Sequence, residues 1–209
     1  MILLALIIFA ASLIYFFLAK RISKYINLLA VQGVLLFFIA FINLIEIHIV
    51  GLLLILMETL LVKAIVIPVF LNKLRRTNHL VRMEESKVPV FFSILIMTSI
   101  IIISFVSGFF IENQFIQLKF YTLAVSTILG GIFFIIIFKN VFNHIVGFLI
   151  IENGAFLLSL AVGREFPFLV SMAVLIDLLI ALLVIGVFVN KIGNRFDDMS
   201  VTHLTNLKD

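Results

Sequence analysis

The sequence predicts an all-α membrane protein of seven transmembrane helices, built as two parallel three-helix repeats joined by a connector helix. Three observations predict it. Of 209 residues, 64% are hydrophobic and only 12% are charged, against about 45–50% and about 25% in a soluble domain. A chain with so few charges cannot cover its own core and must use lipid or other apolar subunits as its outer surface. The apolar residues fall into runs long enough to cross a bilayer, and the basic residues gather on one side of those runs. This composition excludes a soluble enzyme, a nucleic-acid-binding domain and a disordered linker.

A transmembrane helix needs about 20 mostly apolar residues, with a range of about 17–25. Such runs lie at 2–19, 25–47, 51–71, 88–111, 120–138, 142–162 and 168–190. The first lacks a basic n-region and has no small-x-small cleavage site before Lys20, so it reads as an uncleaved span. Only Glu46, His48 and Gly51 interrupt the passage from the second to the third, which predicts a tight helical hairpin at the outer membrane edge. Pro68 stands near the end of the third and can kink it. A basic stretch from Lys73 to Lys87, broken by Glu84 and Glu85, leads into the fourth run. Gly130-Gly131 in the fifth and Gly154 in the sixth suit close helix approach.

Orientation follows from the cations. With the N-terminus outside, the cytoplasmic side holds Lys20, Arg21 and Lys24, then Lys73, Arg75, Arg76, Arg82 and Lys87, then Lys139, and in the tail Lys191, Arg195 and Lys208. These are twelve of the 15 basic residues; the outer loops hold Lys119 and Arg164 only. The expectation is a multi-pass protein of the cell's inner, cytoplasmic membrane, N-terminus outside and C-terminus inside. The net charge of +4 then serves topology, and no nucleic-acid partner is needed to account for it.

Shifting the chain against itself by 119 residues places Lys20 on Lys139, each closing the first helix of a set, and Glu58 on Asp177, each an acid inside a third helix. Three spans end on the side opposite to where they began, so a fourth lets a second triplet enter in the first one's direction. The copies are then parallel repeats about an axis along the membrane normal. The expected division is 1–72 for the first repeat, 73–118 for the basic loop and connector, 119–192 for the second repeat and 193–209 for a cytoplasmic tail.

No cysteine is present, which excludes disulfides, thiolate metal sites and iron–sulfur clusters. None of His48, His79, His144 and His203 lies mid-way along an apolar run, which argues against a buried haem. The chain has no P-loop, GxGxxG, His-Glu-x-x-His or nucleophile elbow. No metal, cofactor or catalytic residue is therefore expected.

Four ionisable residues remain inside the spans: Glu58, Lys63, Glu152 and Asp177. Each costs about 2.5–3.5 kcal/mol at the bilayer centre, so they belong at helix interfaces or in a hydrated cavity, as ion-pathway groups or as anchors between helices. Glu152 and Asp177 fall at similar mid-depth on successive spans and are expected to approach each other. Glu58 and Lys63 are five apart, about 140° around an α-helix, so each is expected to seek a partner on another helix. Gln32 is a neutral polar residue at the depth of Glu152.

The stretch 139–155, KNVFNHIVGFLIIENGA, resembles the second helix of the K subunit of respiratory complex I and its relatives in Mrp-type sodium/proton antiporters and membrane-bound hydrogenases. In that family a basic, Asn-containing loop leads through a Gly into a helix with a central Glu, and a second acid lies mid-way along the next helix, the place of Asp177 here. The length of the chain, its Glu152-Asn153-Gly154, Lys63, Pro68 and the tail HLTNLK more closely resemble the component E family of hydrogenase-4, membrane subunits of formate hydrogenlyase-type [NiFe] hydrogenase complexes. The resemblance implies a non-catalytic subunit of an oxidoreductase complex, packed between an antiporter-like subunit and the membrane subunit next to the redox module. Its carboxylates would join a polar axis for proton translocation or other ion transport. Two departures stand out: the second acid is Asp, and Gly33 occupies the position 119 residues before Glu152, with Gln32 beside it. A subunit of an Mrp-like antiporter or ion-driven uptake complex is the alternative, and a scaffold whose charges only anchor helices is a third reading.

Overall fold

The computed structural model describes residues 2–44, 53, 55–77, 86–110 and 116–162. The expected hairpin at Glu46 and His48, most of the basic loop, the seventh run at 168–190 with Asp177, and the tail lie outside the described residues. Those described are all helical apart from connectors and turns, and fall in the compact unit Met1–Val174.

Six helices are present among them: α1, Ile2–Leu18; α2, Ile22–Leu44; α3, a π-helix Glu58–Val66 continued by an α-helix Ile67–Thr77; α4, Val90–Phe109; α5, Leu118–Ile137; and α6, Val141–Val162. Five of them, α2 to α6, are long and apolar enough to cross a membrane, and α1 is a shorter apolar helix. α3 runs past the expected end at residue 71 to Thr77. Lys73, Arg75 and Arg76 are acceptable helix formers, and cations in the last turn complement the negative end of the helix dipole.

The short connections have identifiable stops. Asn140 caps α6, its Oδ1 accepting the Phe142 N–H at 3.0 Å. At the C-terminus of α5, Lys87 donates from its backbone N–H to Ile137 O at 3.0 Å and from Nζ to Ile136 O at 3.1 Å. These satisfy carbonyls that the helix itself leaves open. At the other end of the same pair, the Gln117 N–H donates to Ala161 O at 2.9 Å, so α5 and α6 are antiparallel over their full length.

An aromatic knot ties the α1–α2 turn to the end of α5. Phe134 meets Phe16, Phe17 and Tyr25 with ring centroids 5.6–6.2 Å apart, and Phe17 also meets Phe133 at 5.3 Å. The Tyr25 hydroxyl donates to Ala19 O, which closes the turn. Consequently Lys20, Arg21, Lys24, Lys87 and Lys139 gather at one end of the bundle. Lys119, at the start of α5, lies at the other.

α5 and α6 pack by backbone approach. A Cβ on Gly131 would stand 2.9 Å from Gly147 O and Ile151 N, and one on Gly154 would stand 2.9 Å from Ile128 N. In lipid, where apolar surface gains little from association, such small residues supply close van der Waals contact. α4 packs on α5 and α1 and leaves most of its apolar surface exposed, as suits a helix facing lipid or a neighbouring chain. α2 is central, touching α1, α3 and α6.

The paired glycines should differ in their response to substitution. Gly131→Ala meets backbone and should cost about 1–3 kcal/mol, read as earlier thermal unfolding in detergent by circular dichroism. Gly130→Ala meets only the mobile end of Met97, at 2.8 Å from Cε, and should leave the transition nearly unchanged.

Candidate functional site

The wide turns of α3 determine which of its polar groups meet. In the segment Glu58–Val66 the ladder runs five residues back: the Ile67 N–H donates to Val62 O. Residue i+5 then stacks above residue i, as it does not in an α-helix. Lys63 therefore lies over Glu58, with Nζ 4.0 Å from Glu58 Oε1. This corrects the expectation that these two residues diverge, which assumed α-helical spacing. Pro68 lies two residues past the end of the segment; it has no N–H to carry the ladder on, and the bonding register changes beside it. The Thr59 hydroxyl donates back to Ile55 O at 2.9 Å, a contact that bends helices.

Gly33 sets how near α3 comes. A Cβ at this position would stand 2.8 Å from Ala64 N and 2.9 Å from the Lys63 carbonyl carbon, so the two backbones are in direct contact. From there the Lys63 side chain reaches α6, where Nζ lies 2.6 Å from Glu152 Oε1, with side-chain exposures of 3% and 4%. The ring of Phe156, one turn beyond Glu152, faces the same ammonium with Nζ 4.6 Å from its centroid. These distances place an ion pair and a cation–π contact on one buried nitrogen, and the ion pair is made by proximity, without the angles of a hydrogen bond.

Beside the charges runs a neutral chain. Asn153 Nδ2 donates to Gln32 Oε1 at 3.0 Å, Gln32 Nε2 donates to Ser12 Oγ at 2.8 Å, and Ser12 Oγ donates to Phe9 O at 2.6 Å. All three polar side chains are buried. Gln32 and Gly33 thus act in different directions from adjacent positions on α2, one bracing α6 and α1, the other admitting α3.

Of the expected site residues, the structure brings together Glu58, Lys63 and Glu152; Asp177 lies outside the described residues. Glu152 has the Lys63 ammonium as a partner, and its expected approach to Asp177 falls on residues outside those described. Sequence reasoning missed Phe156 and Ser12. Phe156 was discoverable, since i and i+4 share a helix face; the lone hydroxyl of Ser12 in α1 carries no comparable signal. Among the described residues no group of three His, Cys, Asp or Glu could hold a metal ion. Comparison with family models, with curated proteins and with solved structures gives no match.

The pair should be coupled. Lys63→Met leaves Glu152 buried without its cation and should cost about 3–5 kcal/mol. Lys63→Met combined with Glu152→Leu should be more stable than Lys63→Met alone. Thermal unfolding of the four members of this double-mutant cycle in detergent checks it, and strict additivity would contradict the contact.

Proposed function

We propose that this chain is a non-catalytic membrane subunit of a hydrogenase-type, complex I-related energy-converting complex, and that Glu152, Lys63 and Glu58 are part of its ion-translocation pathway. The observation that carries the reading is the Lys63–Glu152 contact at 2.6 Å, between side chains almost fully sealed inside helices of membrane-spanning length. Intramembrane ionisable groups that pair with one another characteristically mark ion pathways. The resemblance of residues 139–155 to the K subunit family supplies the class of complex, and it also supplies Asp177 as the further acid.

The parallel repeat fits the helix bounds. α1 and α5 end 119 residues apart, at Leu18 and Ile137, and α2 and α6 begin 119 residues apart, at Ile22 and Val141. On this reading a seventh span completes the second triplet, and the cation-rich end of the bundle faces the cytoplasm from the inner membrane. The partners are an antiporter-like subunit and the membrane subunit next to the redox module, with lipid on the remaining surface.

Purification of the tagged chain from its native membrane in mild detergent tests the assembly; a [NiFe] large subunit and an antiporter-like subunit should accompany it. An antiporter-like partner without a [NiFe] subunit would favour the Mrp-like alternative. In the reconstituted complex, Glu152→Gln keeps the shape of the side chain but removes its titration, and should assemble normally while losing most ion translocation. Translocation at the parental rate in an assembled Glu152→Gln complex would leave the carboxylate as a helix anchor only.

A further inference from the structure

At the end of the bundle opposite the cation cluster, α4 and α5 leave between them a groove with a volume of about 150 Å³. Phe105, Gly108 and Phe109 of α4 and Leu118, Lys119 and Thr122 of α5 line it. Its floor is where the helices touch: a Cβ on Gly108 would stand 2.7 Å from Thr122 Cγ2. The exposed rings of Phe105 and Phe109 form one wall, edge to face with centroids 5.1 Å apart. Lys119 is the one charged residue of the lining. We propose that this groove holds an acyl chain of an anionic phospholipid, with the lipid phosphate paired to the Lys119 ammonium. The inference needs only that the chain crosses a membrane and is independent of the pathway reading above.

Size and direction select an acyl chain. An apolar cavity of about 150 Å³ holds a benzene molecule, so this groove takes about six carbons of a chain. It is too narrow to admit an α-helix, which is about 10–12 Å across with its side chains. The lining also descends from the helix ends: Phe105 lies about 6 Å deeper than Phe109 along α4, and Thr122 about 4.5 Å inward from Lys119 along α5. An extended chain entering beside Lys119 therefore passes the Gly108–Thr122 contact and reaches Phe105.

Charge selects the headgroup. Lys119 is exposed in the first turn of α5, with Nζ 5.0 Å from the Phe120 ring centroid. That turn contains no acid, and among the described residues no carboxylate pairs with this ammonium. A lysine near the end of a membrane helix lays its stem on apolar surface and sends its charge to the interface. The phosphate of a lipid seated in the groove stands at that level. A neutral apolar molecule would leave the ammonium without a counter-charge, whereas an anionic phospholipid supplies both parts.

The chain contains no tryptophan, so a single one introduced into it reports on its own surroundings. Ile102 is exposed on the face of α4 that carries Phe105 and Phe109, one turn deeper, and does not line the groove. Full-length Ile102→Trp is reconstituted in vesicles of equal parts dioleoylphosphatidylglycerol and dioleoylphosphatidylcholine, with bromine on the chains of one lipid or of the other. Quenching should be stronger with brominated phosphatidylglycerol and give about fivefold preference for it, the effect of one cation near a membrane surface. The preference should persist with Lys119→Arg, vanish with Lys119→Gln, and be absent for Ile7→Trp on the exposed face of α1. Equal quenching by the two lipids at Ile102→Trp overturns the proposal. A preference that survives Lys119→Gln, or that is as large at Ile7→Trp, overturns it also, because the anion is then not held at this groove. In native membranes, a photoreactive benzoylphenylalanine in place of Phe109 should cross-link to phospholipid. A discrete protein adduct would mean that another chain closes the groove, and overturns the assignment.

Discussion

An ammonium and a carboxylate 2.6 Å apart, both closed off from solvent, constrain everything around them. Neither charge is tolerable alone in an apolar interior, and together they are tolerable only in good geometry with their other faces satisfied. The helices bring the two charges together by several separate means. The π-register of α3 turns Lys63 toward Glu58, the missing side chain of Gly33 lets the backbone of α3 come close, and Phe156 covers the ammonium from α6. Each means is local, and none is itself charged except Glu58.

The rest of the bundle holds α6 where the lysine can meet it. The glycine contacts with α5 set the separation of that pair to backbone distance, and the Asn153–Gln32–Ser12 chain ties it to α2 and α1. Buried polar chains stabilise only when every member is satisfied. This one ends on a backbone carbonyl, Phe9 O, so its last donor is not left open. The aromatic knot around Phe134 then secures the far end of the same helices.

Much of this was legible in the sequence. Apolar run length gave α1, α2, α4, α5 and α6 to within a few residues, because the bilayer imposes one length on every span. The expense of charge in lipid singled out Glu58, Lys63 and Glu152, and depth alone singled out Gln32. What was not legible has a physical reason in each case. Whether a helix bonds four or five residues back depends on the packing of its neighbours, and no residue type encodes it, so Glu58 and Lys63 were placed on different faces. Depth says nothing about which helices are adjacent, so the meeting of Lys63 with Glu152 was not foreseen. The extension of α3 to Thr77 was hidden because its last turns are basic, and hydropathy is blind to helix beyond the membrane edge.

The clamping of α6 has a mechanical consequence. A helix locked to one neighbour by backbone contacts at Gly131, Gly147 and Gly154 cannot turn about its own axis without separating from it. The amide brace at Asn153 opposes the same rotation from another side. α3 packs mainly on α2, in backbone contact at Gly33, and is wound in wide turns beside it. Glu152 is therefore fixed in bearing from two sides, and it is the long side chain of Lys63 that spans the gap to it.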